Sequence, residues 1–182
     1  MMRATRQALS CFALLLAGCA PSDPQQQVSS ALAQQVMLPA YSAWTASNRQ
    51  LADSATNFCA GSQDITQARQ VWLAAQSAWA ALQPMAAGPL NEGNRAWQVQ
   101  FWPDKKNLVA RQVETLLNSK PQLSQTKLDQ ASVVVQGLSA YEYVLFDPAI
   151  DLADSPQKAR YCLLLIAIGQ HQQQLADSLL TQ

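Results

Sequence analysis

The stretch GLSAYEYVLF, residues 137–146, sets a carboxylate in the middle of an apolar run, in a chain with only three glutamates. Burying an unpaired carboxylate costs on the order of several kcal/mol unless it is protonated, paired or metal-bound. Three chemistries follow for Glu142. It can be a structural carboxylate bonded to a tyrosine, a tryptophan or a backbone group, with Tyr41, Tyr161 and the five tryptophans as donors. It can be a metal ligand if a second ligand sits one turn away, where Ser139 stands. It can be a general acid or base with a raised pKa, although no catalytic partner is evident nearby. His171 is the only histidine. It lies in the polar run GQHQQQLADS and reads as a solvated side chain.

The element that must position Glu142 reads as a helix over residues 125–146, capped by Ser124. At about 100° per residue, Leu128, Ala131, Val135, Leu138, Ser139, Leu145 and Phe146 fall within roughly 60° of Glu142. The carboxylate is therefore expected on a core-facing stripe. The opposite side, with Val133, Gly137, Ala140 and Val144, is apolar too, so this helix is expected to be buried on more than one face.

The rest of the chain is helical in pattern. A first segment over 28–59 repeats Leu32, Val36, Tyr41, Trp44, Leu51 and Phe58, with Pro39 a kink or break. Gly61-Ser62 ends it, and Asp64 is an N-cap for a second helix to Leu82. Residues 84–104 form a long connection, aromatic for a loop at Trp97, Phe101 and Trp102. A third helix is expected over 105–118, and Ser155-Pro156 opens a fifth that runs toward the C-terminus. No alternating strand pattern competes. The fold class is all-α, an antiparallel helical bundle of about four to five helices.

The N-terminus, MMRATRQALSCFALLLAGCAPSDPQQQ, has a basic flank at Arg3 and Arg6 and an apolar stretch from Ala8 to Gly18, too short to span a bilayer. Leu16-Ala17-Gly18-Cys19 resembles the bacterial lipoprotein signal and its modified cysteine. The resemblance implies a signal peptide over 1–18 and lipidation at Cys19; residues 20–27, APSDPQQQ, have linker composition, so that 19–27 is the lipidated cysteine with its linker and 28–182 the helical domain. Acyl chains on Cys19 would hold the protein at a membrane. Ala20 resembles the sorting signal of proteins sent to the outer membrane of Gram-negative bacteria, facing the periplasm. Loss of Arg3 and Arg6 turns 12 basic against 12 acidic residues into 10 against 12. With no basic patch, nucleic acid is not expected as a partner. Once Cys11 leaves with the leader and Cys19 is lipidated, Cys59 and Cys162 remain. An oxidising compartment suggests one disulfide between them, two buried free thiols being the alternative.

GLSAYEYVLF also resembles the G-x-H-x-x-E signature of imelysin-like proteins, with Gly137 and Glu142 matching. VWLAAQSAWAALQPMAAGP is similar to that family's tryptophan-rich helix and Gly-Pro loop, FWPDKKN to its aromatic-Pro segment, and ARYCLLLIAI to its next helix. The matches run in order over residues 28–182. The resemblance implies an exported protein associated with iron uptake and a fold of two helical bundles with the signature near their junction. It also implies iron or another divalent metal at Ser139 and Glu142. Two departures stand out. Ser139 occupies the signature histidine position, and a hydroxyl is a poor replacement for imidazole as a transition-metal ligand. The residues present also make up one bundle. The face of Val133, Gly137, Ala140 and Val144 is then where a second bundle, a homodimer partner or iron-uptake components would pack. The expected role is a lipid-anchored binding or accessory component. A metallopeptidase is one alternative, although it needs about three protein ligands and an activated water, and no HExxH motif occurs. A truncated, degenerate member that binds no ligand is the other.

Overall fold

The computed structural model describes residues 23–85, 88–119 and 122–181 and divides the chain into two units, 1–36 and 37–182. The expected signal peptide and Cys19 lie outside the described residues. Within the first unit, helix α1 (Pro24–Leu32) begins inside the stretch read as linker, because the Asp23 carboxylate accepts the Gln25 N–H and Pro24 fits the first turn. None of its residues is buried. A π-helical turn, Ala33–Met37, follows.

In the second unit α2 (Leu38–Ala60) carries Pro39 in its first turn, directly after the π-helical turn. It ends at Gly61, whose φ of 80° is left-handed; the Gly61 and Ser62 N–H groups turn back to Phe58 (3.1 Å) and Asn57 (2.9 Å) carbonyls. Asp64 then caps α3 (Ile65–Leu82) through a reciprocal pair with Gln67. The long closing helix α8 (Ser155–Leu180) lies antiparallel along α2. The Thr45 hydroxyl donates to the Ala176 carbonyl, Ala52 meets Gly169, and Cys59 is joined to Cys162 by a disulfide. Partners thus advance by seven on one helix as they fall by seven on the other, two turns at a time. The approach is close enough that a Cβ on Gly169 would lie 2.8 Å from the Ala52 Cα. Trp44, Leu51, Leu138, Tyr141, Leu145, Leu164, Leu165 and Ile168 are sealed in the core.

The long connection carries a 3-10 turn (Pro89–Asn91) and a short α4 (Arg95–Val99). It is pinned to α3 by Gln100, whose side-chain oxygen accepts from Trp79 Nε1 at 2.8 Å and whose amide donates to Gln76 at 3.0 Å. Then come α5 (Leu108–Ser119), α6 (Gln125–Asp129), a 3-10 turn (Val133–Val135) and α7 (Leu138–Phe146). No strand occurs among the described residues, and α2, α3, α5, α7 and α8 make up a helical bundle, as the pattern predicts.

One sequence expectation fails here. Residues 125–146 are not a single helix but two helices separated by a 3-10 turn. The Gln136 amide donates to the carbonyls of Leu128 (3.1 Å), Asp129 (3.2 Å) and Ala131 (3.0 Å), satisfying the end of α6. Gly137 then restarts the chain as α7, and the helical phase is lost across the break. Projecting Leu128, Ala131 and Val135 onto the face of Glu142 was therefore invalid. On α7 the buried residues are Leu138, Ala140, Tyr141, Val144 and Leu145, with Gly137 buried ahead of them; Glu142 and Phe146 are exposed. Gly137, Ala140 and Val144, expected to await a second bundle, belong to the core, and Val133 is half-buried. The open face is the one carrying Ser139, Glu142, Tyr143 and Phe146.

Candidate functional site: the open face of α7

α7 is held by its carbonyls. Trp72 Nε1 donates to the Leu138 carbonyl at 3.1 Å and Arg69 Nε to that of Leu145 at 2.8 Å, so α3 fixes both ends of the helix. Gly137, which the sequence aligns with the signature glycine, has a packing role. A Cβ there would stand 2.3 Å from the Val99 carbonyl oxygen and 2.5 Å from that of Gln98, so only glycine lets the backbone leaving α4 pass this close. Gln172 of α8 bridges the same junction, its amide donating to Gln98 (2.7 Å) and Gln136 (3.1 Å) carbonyls.

Ser139, which the sequence aligns with the signature histidine, donates its hydroxyl to the Phe101 carbonyl at 2.8 Å. That bond ties α7 to the aromatic segment, where Phe101 packs against Trp97 and Trp102 precedes a cis proline. Beyond it, the Asp104 carboxylate accepts the N–H groups of Leu108 (2.8 Å), Val109 (2.9 Å) and Lys106 (3.3 Å), starting α5. Burial works against ionisation of Asp104, but these three donors together with the charge of Arg111 outweigh it and hold its carboxyl below the usual range.

Between α7 and this segment opens a cleft of about 370 Å³, walled by Phe101, Trp102, Ser139, Glu142, Tyr143 and Phe146 among others. Trp102 is 71% exposed. Glu142 reaches solvent here with no hydrogen bond or ion pair among the described residues. Partial burial pushes its carboxyl above the ordinary value, and no donor counters it.

The glutamate bonded to tyrosine hydroxyls is a different one, Glu114 on α5, which the sequence pattern gave no reason to single out. Its Oε1 accepts the hydroxyls of Tyr161 (2.6 Å) and Tyr143 (3.3 Å), and its Oε2 pairs with Arg160 at 2.9 Å. Burial again opposes ionisation, yet the bonds from Tyr161, Arg160 and Tyr143 prevail and lower its pKa. Burial and the Glu114 carboxylate together raise the pKa of Tyr161 and of Tyr143. Tyr161, named from sequence as a donor for Glu142, serves Glu114 instead.

The residues present do not fit a transition-metal centre. Among the described residues no three His, Cys, Asp or Glu side chains are grouped to hold an ion. The Ser139 hydroxyl is committed to Phe101, and His171 does not line the cleft. Nor is His171 solvated as its polar flanks suggest. It is 8% exposed, with Nδ1 2.7 Å from Asp129 Oδ1, because α8 turns that face toward α6. What the cleft does offer is a free carboxylate beside exposed aromatic surface.

Comparison with known proteins bears on the family and the fold. The Imelysin family model matches residues 37–182. The fold is similar to that of an imelysin-like protein from Psychrobacter arcticum 273-4, with a TM-score of 0.77 and 21% identity, over 90% of this chain and 51% of that one. The chain thus spans about half the length of that relative. No curated protein sequence matches it. The family model covers the whole helical bundle, from the start of α2 through α8, and the chain belongs to the imelysin family.

Proposed function

We propose that this protein is a lipid-anchored, periplasm-facing binding or accessory component associated with iron uptake, and that it works through the Ser139–Glu142 cleft. The lipobox-like Leu16–Cys19 supports the anchoring and the export, and family membership supports the association with iron. One observation carries the choice of site. The signature glutamate, Glu142, stands unpaired on the open face of α7, while Ser139 and Gly137 are spent on holding the walls around it. A carboxylate kept without partners in a preformed cleft is what a recognition site leaves for its ligand.

The test is genetic. In a strain lacking the gene, the wild-type protein is expected to restore growth under iron limitation, and Glu142→Ala and Trp102→Ala are not, with all three at equal abundance. Full rescue by both variants would remove the cleft from the function. Cys19→Ser is expected to lose metabolic palmitate label and leave the membrane fraction; an unlabelled wild type ends the anchoring proposal.

A further inference from the structure

The walls of the cleft have a consistent chemistry. Asp104, Glu142 and Asp147 line it, and no lysine, arginine or histidine does. Two of these carboxylates are already used: Asp104 accepts three backbone N–H groups, and Asp147 accepts the Ala149 N–H at 2.8 Å. Of the three, Glu142 is the one that accepts no hydrogen bond among the described residues. Beside it stands Trp102, on whose ring no aromatic or cationic side chain is stacked among the described residues. Two other rings show what such faces take, Phe146 in the wall of the same cleft and the buried Phe58. Arg69 lies 5.1 Å from the centroid of Phe146, and Lys158 lies 4.3 Å from that of Phe58.

We infer that the cleft binds an organic cation, an ammonium or guanidinium group that bonds to Glu142 and lies against Trp102. A carboxylate beside an aromatic face is matched by a cation that has both N–H donors and a weakly hydrated surface, and guanidinium fits this best. A small inorganic ion is a poorer fit, because among the described residues no three carboxylate, imidazole or thiol side chains are grouped to complete its shell. Desolvation also disfavours the lone Glu142 carboxylate, and an arriving cation relieves that penalty. The inference rests on the cleft being the binding site.

Titration calorimetry of the full-length protein in nonionic detergent tests it. The probes are Nα-acetyl-argininamide, the neutral isostere Nα-acetyl-citrullinamide, spermidine, and a blocked Gly-Arg-Gly peptide. Expected is binding of the cationic probes and none of the citrulline compound. Tighter binding of the peptide than of the acetyl amide would assign the cation to a polypeptide, and the reverse order to a free amine or guanidine. Glu142→Gln is expected to weaken binding about tenfold or more, the loss of one charge-assisted contact. Trp102→Ala should weaken it by about three- to fivefold, the size of an exposed cation–π contact. Far-ultraviolet circular dichroism checks that both variants remain folded. Equal binding of the citrulline probe, or no change in Glu142→Gln, overturns the inference. If no probe binds while Glu142→Ala and Trp102→Ala still fail to restore growth, the cleft keeps its role and the cation is wrong. If those variants restore growth, the site itself is wrong.

Discussion

Glu114 and Glu142 stand on neighbouring helices and share a neighbour: the Tyr143 hydroxyl reaches Glu114 while the same residue lines the cleft of Glu142. One carboxylate is surrounded by protein donors and ionises more readily than usual; the other has none and ionises less readily. The contrast separates two uses of a scarce residue. Glu114 ties α5 to α7 and α8, whereas Glu142 contributes nothing visible to the fold. A charge kept in a partly desolvated place without partners is better explained by something outside the chain.

The largest expected effect comes from loosening the Glu114 side of this contrast. Cys162 is adjacent to Tyr161, and the disulfide from Cys59 fixes that part of α8 to α2. With a sequence separation of 103 residues, the chain-entropy argument gives a loss of about 4 to 5 kcal/mol for the Cys59→Ser, Cys162→Ser double variant. Urea midpoints should fall accordingly, and hydrogen exchange should quicken around residues 158–165 more than on α7. Faster exchange on α7 alone would reverse that reading. Intact-mass and peptide analysis of unreduced protein should find the two cysteines linked.

Next is Gly137→Ala, which probes the frame common to both regions. With 2.3 Å to the Val99 oxygen, the added Cβ must push backbone rather than a flexible side chain. A loss of about 3 kcal/mol is expected, at the upper end of overpacking costs. The shift at the start of α7 should also weaken the Ser139–Phe101 bond. A variant as stable as the wild type would mean that α4 and α7 stand farther apart.

Glu114→Ala follows, at about 2 kcal/mol: three hydrogen bonds are lost, discounted because the Glu114 and Arg160 side chains remain 37% and 33% exposed. Glu114→Gln isolates the charge. Since the folded pKa of Glu114 is lowered, its stabilisation is present above the unfolded value, near 4.5, and is lost as pH falls through the folded value. The gap between wild type and Glu114→Gln should therefore close on acidification below about pH 4.5. A gap that stays constant would mean that packing, not charge, carries the effect.

The helices that form α2, α3, α5 and α8, the caps at Gly61 and Asp64, and the helical fold were legible because each rests on local chemistry: apolar period, left-handed glycine, capping side chain. The orientation of Glu142 was not. The break at 130–137 depends on Gln136 folding back on three carbonyls and on Gly137 meeting Val99, contacts that no periodicity encodes. A projection that runs through such a break assigns the wrong face. His171 was misread for a related reason, since its glutamine neighbours look solvated, yet Gln172 is itself fully buried and bonded to distant carbonyls. Asp104 ahead of an apolar helix was a readable capping signal. Glu114 was not readable, because its three donors come from residues 29 to 47 positions away.

Glu142→Gln should have the smallest effect on stability and the opposite sign with pH. Its folded pKa is raised, so the protonated form is favoured in the native state. That contribution is full below the unfolded value, near 4.5, and is lost as pH rises through the folded value. At neutral pH the wild type therefore carries a desolvated charge that glutamine does not. Exposure to solvent keeps the difference under about 1 kcal/mol. The variant should equal or slightly exceed the wild type in urea midpoint at pH 7, and the two should converge near pH 4. A variant clearly less stable than the wild type at neutral pH would show that Glu142 has a partner within the chain. The division of labour between the two glutamates would then collapse. If the expected order holds, the same substitution that leaves folding intact should abolish rescue under iron limitation, which places the importance of Glu142 in binding and not in the fold.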